Sequence, residues 1–307
     1  MNYNAPHTPV LLKEVVEGFK GVRDGVFIDC TLGYAGHSFK ILEKYPHLQL
    51  IGIDRDDEAL KFSAKRLEPF ANRVKLLKGS FSKQLKEVDF SSVSALLADF
   101  GVSSLQLDKK ERGFSFESPT LDMRMDQNSN FSAYDLINTY SQEMLEQIFR
   151  EYGEAKEPKR VAKAIVEARK KRAIASSKDL SQLIAKHTKT KSKIHPATLY
   201  FQAIRIEVNR ELEEIIELLN ILEEKQPKGA IIALITFHSL EDRLVKQRFR
   251  KWAKRCICPA NSIRCSCGNN NNLGIELNRK PIVASKEEVS NNLRSRSAKL
   301  RLFRFND

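Results

Sequence analysis

The sequence is poor in cysteine and contains no long apolar run. Its five cysteines are an odd number, and a chain of 307 residues does not need disulfides to fold. The longest purely apolar stretch, Ala230–Ile235, is far too short to cross a bilayer. The first residues, Met1–Asn4, lack the basic and apolar regions of a secretory signal. We therefore expect a protein of the reducing cytoplasm that has no membrane partner.

Acidic residues are too few to balance the basic ones. The chain has 52 Lys and Arg against 39 Asp and Glu, a net charge of +13. Residues 156–193 contain 13 basic and three acidic residues, and residues 243–255 contain seven basic residues and no acidic one. Such clusters are typical of proteins that bind a polyanion. This clustering favours a nucleic-acid partner over a merely solvated surface.

Short apolar segments alternate with helical patterns in the first hundred residues. Strands are predicted at 26–31, 48–54, 74–77 and 93–100, with helices near 36–46, 57–68 and 82–88. This alternation predicts a parallel sheet with helices on its faces. Strand character returns at 230–237, where a continuous apolar run indicates burial on both faces. Further strands are predicted at 282–284 and 298–305, the last with alternating faces.

The strand pattern is interrupted by a long helical region. Helices are predicted at 158–172 and 178–187, and one long helix begins after Pro196 and carries an apolar stripe as far as Leu222. The fold class is therefore α/β, with a mostly parallel sheet and an inserted all-helical domain. We assign residues 1–108 and 211–307 to the core and residues 109–210 to the insertion, which we expect to recognise the substrate.

A turn of small residues follows the first predicted strand. Asp29 ends that strand, and Gly33–His37 leads into the first helix of the alternating pattern. Small residues between a strand and a helix N-terminus let a ligand approach the backbone, at the sheet edge where open α/β folds bind ligands. The turn lacks the G-x-G-x-x-G fingerprint, which argues against a pyrophosphate-binding dehydrogenase.

Three further strand ends carry groups that suit a nucleoside. Asp54 ends the second strand, where a carboxylate can accept both ribose hydroxyls, although it could instead cap the next helix. Phe81 follows the third strand and Asp99 ends the fourth. Together these ends predict a nucleoside cofactor site. An acid at Asp99 fits amino-group methylation, but the Pro-Pro that follows it in many DNA amino-methyltransferases is absent, which argues against DNA.

Several longer motifs spread over nearly the whole chain resemble one family. They are His7–Leu12, Gly113–Phe116, Leu121–Asp126, His195–Thr198, Phe201–Ile206, Phe237–Arg243 and Arg294–Arg301. In these motifs the chain is similar to the bacterial RsmH/MraW methyltransferases, which methylate N4 of a cytidine in the decoding centre (P site) of 16S ribosomal RNA. The resemblance implies a Rossmann-like methyltransferase core, S-adenosylmethionine as cofactor, and 16S rRNA within the small ribosomal subunit as partner. It leaves open whether the substrate is naked RNA or an assembled subunit, and whether the protein is a monomer or a homodimer.

The resemblance also implies which residues contact the cofactor. They are Ala35, Gly36, His37, Asp54, Phe81, Asp99 and Gln106. It identifies no catalytic residue. The candidates for an acceptor of the amine protons are Asp99, Asp122 and Asp126, and the last two could equally form salt bridges with nearby arginines.

Two features leave alternatives open. The family usually has glycine or a basic residue at the position of Tyr34, whose ring either narrows the methionine pocket or points outward. Tyr34 is thus the sequence support for an RNA-binding ribosome-assembly factor without catalysis, and a further alternative is an amino-methyltransferase acting on another nucleic acid.

Cys256–Cys258 and Cys265–Cys267 form two C-x-C pairs separated by six residues. Four thiolates suit tetrahedral zinc, but C-x-C is less usual than C-x-x-C, so the sequence alone assigns no metal ligand.

Overall fold

The computed structural model describes residues 9–189, 195–259, 261–262 and 264–307, without the side chains of Ser104 and Leu105. The strands are β1 (Gly25–Asp29), β2 (Leu48–Asp54), β3 (Val74–Lys78), β4 (Val93–Asp99), β5 (Ile231–Thr236), β6 (Gly274–Glu276), β7 (Ile282–Val283) and β8 (Lys299–Phe305). The α-helices are α1 (Leu12–Gly18), α2 (Gly36–Lys44), α3 (Asp57–Arg66), α4 (Phe81–Gln84), α5 (Ser104–Asp108), α6 (Ala133–Thr139), α7 (Gln142–Glu151), α8 (Pro158–Lys171), α9 (Ser177–His187), α10 (Thr198–Asn209), α11 (Glu211–Lys225), α12 (Ser239–Trp252) and α13 (Lys286–Asn291). Among the helices described, none has both the length and the apolar character needed to cross a membrane. His7 and Thr8 of the first motif, and residues 190–193 of the first basic block, lie outside the described residues.

The chain forms two compact units. The core unit comprises the described residues up to Gly101 together with Glu213–Asp307, and the inserted unit is Val102–Leu212. In the core unit the strands form one sheet in the order β3-β2-β1-β4-β5-β8-β6, and β7 pairs with β8. The first five strands run parallel, and β8 runs antiparallel to β5. The expected α/β fold with a mostly parallel sheet is confirmed.

The order of the strands locates a ligand crevice. The chain winds outward from β1 through β2 to β3, and then returns to place β4 on the other side of β1. In open α/β sheets such a reversal leaves a crevice beyond the carboxyl ends of the two central strands. Asp29 ends β1 and Asp99 ends β4, so both acids belong to this edge.

Apolar side chains cover both faces of the sheet. Ile28 and Leu96 belong to one buried cluster, and the adjacent residues Phe27 and Leu97 belong to a second cluster. This alternation follows from the two-residue period of a strand. All six residues of β5 are buried, which confirms the burial on both faces predicted from its apolar run.

The inserted unit has its own apolar core. Val161, Ala164 and Ile165 of α8 are buried, as the helical spacing predicts, and α8 belongs to one cluster with α6, α7, α9 and α10. The tight turn at Gly113 has φ +78°, and a Cβ there would lie 2.4 Å from the main-chain nitrogen of Asp122. Only glycine therefore fits this position without a shift of the backbone.

Two details of the chain differ from the expectations. The predicted long helix after Pro196 is wrong: α10 and α11 are separate, because Arg210 adopts a left-handed conformation with φ 52° and ends α10. The short strand β6 carried no sequence signal. The predicted alternation of faces in β8 is confirmed, with Leu300 and Leu302 in one apolar cluster and Phe303 and Phe305 in the other. Residues 300–303 are all buried because β8 has hydrogen-bonded neighbours on both sides and apolar clusters above and below.

Candidate cofactor site

The turn after β1 is organised by a buried carboxylate. Asp29 is 2% exposed, and it accepts hydrogen bonds from the Thr31 amide at 3.1 Å and the Ser38 hydroxyl at 2.5 Å. Burial raises the pKa of Asp29 to about 6 despite these two donors. Asp29 was not among the residues predicted to form the site, although its place at a strand end was the available signal. Through its bonds to Thr31 and Ser38, it holds the turn against the first residues of α2.

Backbone conformation in the turn is unusual at two positions. Gly33 has φ +51° and Ala35, the residue before α2, has φ +54°. Left-handed backbone costs an alanine about 1–2 kcal/mol, so surrounding contacts must hold it. Ala35 is fully buried and its amide donates to the Leu32 carbonyl at 2.7 Å. The turn therefore delivers the N-terminus of α2 to the sheet edge, where amides of the first helical turn suit an anionic group.

Gly36 and His37 are shaped by packing within the protein. A Cβ on Gly36 would lie 2.3 Å from Cγ of Pro9, so this glycine is required by the proline ring. The His37 ring is 7% exposed, and its Nε2 lies 2.9 Å from the Val10 carbonyl oxygen. A ring held in this way is poorly placed to act as a general base. We infer that the backbone of these two residues, more than their side chains, is available to a ligand.

Asp54 links the ends of β1 and β2. Its Oδ2 accepts from the Gly33 amide at 2.7 Å and its Oδ1 accepts from the Asp56 amide at 2.9 Å. The helix cap of α3 is Asp56, which accepts from the Glu58 amide at 3.0 Å, so the alternative that Asp54 is that cap is wrong. Burial raises the pKa of Asp54, against the effect of the two amides. Each carboxylate oxygen retains one lone pair, which is what two ribose hydroxyls require.

Phe81 lies at the end of β3 in a mixed apolar and charged setting. Its ring is 7% exposed and belongs to one of the two core clusters. The Arg55 guanidinium lies 5.9 Å from the ring centroid, and Arg55 also forms a 2.9 Å salt bridge with Glu214. The same glutamate lies 3.4 Å from the Ser82 amide. These contacts fix one edge of a surface on which a planar base can pack.

Asp99 is the most unusual group at this sheet edge. Its amide donates to the Thr31 hydroxyl at 2.7 Å, which joins β4 to the turn. Among the described residues, none forms a hydrogen bond with its buried Oδ1. Burial, reinforced by the charges of Asp29 and Glu241, raises the pKa of Asp99 well above its usual range. A buried oxygen without a partner is costly, so it marks a place where a ligand donor fits.

Glu241, which was not among the predicted site residues, adds a fourth acid to this edge. It is fully buried at the start of α12, directly after β5. Its Oε2 accepts from the amides of Phe237 at 2.7 Å and His238 at 3.2 Å. A glutamate three residues after a helix cap was the local signal for this role. Glu241 therefore closes the turn after β5 and contributes negative charge near Asp99.

Tyr34 is held against α3. Its ring packs edge-on against Phe62 with the centroids 4.5 Å apart, and its carbonyl accepts from Arg66 at 3.0 Å. The position of the ring is thus explained by contacts with a neighbouring helix.

The other predicted acids and Gln106 belong to the inserted unit. Asp122 accepts from Nε and Nη2 of Arg124 at 2.8 and 2.7 Å, a bidentate pair that accounts for its carboxylate. Asp126 accepts from the amide of Asn128 at 2.9 Å within its own turn. Gln106 is 5% exposed, and its Oε1 accepts from the Ser103 amide at 3.0 Å. Of the three catalytic candidates, Asp99 is the one with a buried oxygen that has no hydrogen-bond partner among the described residues.

The second basic block is partly neutralised within the core unit. Arg248 and Lys251 both pair with Glu223 of α11, the lysine at 2.6 Å. Arg250, Lys254 and Arg255 are exposed and line a surface groove. The free positive charge of this block is therefore smaller than its composition suggests, and it lies at the C-terminal end of α12 and beyond.

Two of the family-like motifs meet in the core unit. Asp242, from the motif that begins α12, accepts from Nε of Arg301 at 2.8 Å, and Arg301 belongs to the motif that forms β8. Arg301 is 3% exposed, so this salt bridge is largely buried and holds α12 against β8. A similar meeting occurs in the inserted unit, where His195 stacks on Phe116 with the centroids 4.4 Å apart.

Comparison with known proteins identifies the family. The sequence profile of the MraW methylase family matches residues 4–306. The chain is 61% identical over 300 residues to Ribosomal RNA small subunit methyltransferase H of Sulfurovum sp., covering 98% of both chains. It is 52% identical to the protein of that name from Nitratiruptor sp., over 99% of this chain and 100% of the relative. For the Campylobacter jejuni protein of that name the identity is 51%, over 98% of this chain and 97% of the relative. This chain belongs to the MraW methylase family.

Proposed function

We propose that this protein transfers the methyl group of S-adenosylmethionine to the N4 amine of a cytidine in the decoding centre of 16S rRNA. The observation that carries the proposal is the unpartnered, buried Oδ1 of Asp99 at the ligand edge of a methyltransferase sheet. The relatives named as small-subunit rRNA methyltransferases support the RNA substrate. The net charge of +13 agrees with a polyanionic partner.

The residues at the sheet edge fit the parts of the cofactor. Asp54 would accept the ribose hydroxyls through the lone pairs that Gly33 and Asp56 leave unused. Phe81 would pack on the adenine, and the amides that begin α2 would bind the carboxylate of the methionine portion. When bound, the sulfonium supplies an electrophilic methyl carbon, so the chain itself needs to supply position and electrostatics.

We assign Asp99 to the amine of the substrate. The lone pair of a cytosine amino group is delocalised into the ring, which makes the nitrogen a poor nucleophile. A carboxylate oxygen that accepts a hydrogen bond from one amine N–H favours the geometry in which the lone pair is available for attack. As the N–C bond forms and the C–S bond of the sulfonium breaks, the amine loses that proton to the carboxylate. Asp99 must be ionised for this role, and a cationic cofactor bound at the same edge would lower its raised pKa.

Substitution of Asp99 by asparagine distinguishes this role from cofactor binding. If Asp99 serves the amine, Asp99→Asn binds S-adenosylmethionine with unchanged affinity and loses methyl transfer in single-turnover experiments. A comparable loss of cofactor affinity would instead assign Asp99 to the cofactor.

We further propose that the inserted unit recognises the RNA. Its longest basic helix, α8, buries its apolar side and exposes Lys170 and Lys171 at its C-terminal end. Exposed lysines bind phosphates without reading sequence, and a target base in folded RNA must be turned out of its stack before methylation. We place the reaction in the cytoplasm, where cysteines that form no disulfide, as all five are here, stay reduced.

The product of the reaction tests the whole proposal. The protein is incubated with tritiated S-adenosylmethionine and either assembled small subunits or naked 16S rRNA, and the RNA is then digested to nucleosides. We expect label in N4-methylcytidine. Label in 5-methylcytidine or N6-methyladenosine would reject the N4 assignment, and the two substrates compared show which form is recognised. Calorimetry with S-adenosylmethionine separates an enzyme from an assembly factor that does not bind the cofactor.

A further inference from the structure

In one long segment of the core unit, the described residues form no helix, no strand and no apolar core of their own. Residues 253–273 connect α12 to β6, and none of the described residues among them is buried. Ile257 is 62% exposed. Loops of this length without secondary structure are uncommon in compact domains and are usually functional. Ala253 and Leu273, at its two ends, pack against an apolar cluster of the sheet, so another interaction is needed to give the part between them a defined shape.

The two C-x-C pairs of this segment converge. The four Sγ atoms of Cys256, Cys258, Cys265 and Cys267 all lie within 4.8 Å of one another. Three of the separations are 3.6, 3.6 and 3.7 Å, between Cys256 and Cys265, Cys265 and Cys267, and Cys256 and Cys267. A tetrahedral zinc ion with Zn–S bonds near 2.3 Å separates its sulfur ligands by about 3.8 Å. The spacing therefore matches that of a tetrathiolate site.

A main-chain amide within each C-x-C pair donates to a sulfur of the other pair. The amide of Ile257, inside the first pair, lies 3.4 Å from Sγ of Cys267 at the end of the second pair. The amide of Ser266, inside the second pair, lies 3.3 Å from Sγ of Cys258 at the end of the first. Hydrogen bonds of this kind orient metal ligands and stabilise the thiolate form that binds a metal. Weak hydrogen bonds between neutral thiols would not require this arrangement.

We propose that these four cysteines bind one Zn²⁺ ion in a closed structural site. Four thiolates complete a tetrahedral coordination shell and leave no open position for a substrate or water. Soft sulfur ligands in tetrahedral geometry select zinc over magnesium or calcium. The fifth cysteine, Cys30, is buried in the sheet and takes no part in the cluster.

The metal would fix the basic groove beside it. Asn271 donates its amide to the Arg255 carbonyl at 3.0 Å and its Nδ2 to the Cys267 carbonyl at 2.9 Å. The cysteine cluster is thereby tied to the residues that line the groove, which include Lys254, Arg255 and Arg279. On the proposed function, this groove offers its charges to RNA phosphates. The metal site itself does not depend on that function.

Metal analysis of the full chain tests the site directly. The protein is purified under reducing conditions without chelators, and zinc and iron are quantified by mass spectrometry. We expect about one zinc per chain. We also expect less than about a tenth of that in Cys256→Ser/Cys267→Ser, because two ligands cannot hold the ion. Ser262→Ala, in the same exposed loop, is the matched control and should keep its zinc. Wild-type protein with less than about a tenth of an equivalent of zinc, or with iron in its place, would overturn the proposal.

A second measurement guards against misfolding of the variant. Zinc is removed from wild-type protein by a mercurial reagent, and trypsin cleavage after Arg255 and Arg264 is followed by mass spectrometry. Loss of the metal should speed cleavage at these two positions by roughly tenfold, because the loop opens locally. Cleavage elsewhere and binding of S-adenosylmethionine should stay unchanged. Equal cleavage rates with and without the reagent would show that no metal orders the loop.

Discussion

Replacement of Asp54 by asparagine should weaken cofactor binding by a predictable amount. Both oxygens of Asp54 are already used once, by the amides of Gly33 at 2.7 Å and Asp56 at 2.9 Å. Asparagine keeps one acceptor oxygen and replaces the other with a donor, so it loses one charge-assisted ribose bond together with one of the two bonds from the main-chain amides. Such a bond is worth about 1.5–3 kcal/mol. The dissociation constant for S-adenosylmethionine should therefore rise roughly 10- to 150-fold.

Isothermal titration calorimetry at neutral pH measures this change. The matched control is Asp57→Asn, which removes an exposed carboxylate three residues later in the chain. That carboxylate pairs with Lys78 at 2.6 Å on the surface. Surface pairs contribute little, so the control should bind within about twofold of wild type. Circular dichroism and a thermal melt establish that both variants are folded.

Two results would refute the reasoning. If Asp54→Asn binds the cofactor within about threefold of wild type, Asp54 does not hold the ribose, since one charge-assisted bond is worth more. If Asp57→Asn loses as much affinity as Asp54→Asn, the effect is one of general charge and not of a specific contact. Because burial raises the pKa of Asp54, affinity should also weaken as the pH falls and the carboxylate takes up a proton.

Three further predictions concern stability and RNA binding. Burial raises the pKa of Asp29 to about 6, so the folded chain holds that proton more tightly than the unfolded chain, whose carboxyl titrates near pH 4. This stabilising contribution is present below about pH 4 and is lost as the pH rises through about 6. Between about pH 4 and 7, the unfolding free energy of the wild type should therefore fall by roughly 1–3 kcal/mol relative to that of Asp29→Asn. Parallel urea-melt stabilities over that range would contradict it. Gly113→Ala should destabilise the chain by about 2–3 kcal/mol in the same assay. Gly21→Ala is the control, because Gly21 also has a positive φ, +79°, but nothing lies within 4 Å of its Cβ; it should cost about half as much. Equal losses would mean that the backbone at Gly113 moves away from the added Cβ at no cost. Replacement of Lys170, Lys171 and Arg172 together by alanine should weaken RNA binding and reduce the slope of log affinity against log salt concentration by about 2. Lys163→Ala, whose lysine pairs with Glu167 within α8, should leave that slope unchanged. An unchanged slope in the triple variant would remove this surface from the RNA interface.

The sequence predicted the elements of the sheet well because their signals are local. The second strand was predicted with the bounds that β2 has, Leu48–Asp54, and the apolar run of β5 correctly indicated burial on both faces. The family resemblance drawn from the motifs is confirmed by the family match over residues 4–306. The local signals failed where a single residue changed the backbone. Arg210 ends α10 in a left-handed conformation, although the apolar stripe continues beyond it.

The arrangement of the acids at the sheet edge could be predicted only in part. Strand ends are visible in the sequence, and parallel strands bring their carboxyl ends to one edge, so Asp54 and Asp99 could be found. Their partners could not, because the Gly33 amide and the Asp54 carboxylate are 21 residues apart. Glu241 comes from the other side of the insertion, and it approaches Asp99 because β5 lies beside β4.

By itself, the sequence determined which residues are apolar at strand and helix spacing, and these decided the sheet, its flanking helices and the inserted helical unit. Tertiary structure alone decided which polar side chains already have hydrogen-bond partners within the protein. Asp122 is paired with Arg124, whereas Asp99 keeps a buried oxygen without a partner among the described residues. It also brought four sparse cysteines within 4.8 Å of one another. The physical reason is that burial and hydrogen bonding depend on neighbours distant in the chain, which strand order and loop closure supply and local spacing does not.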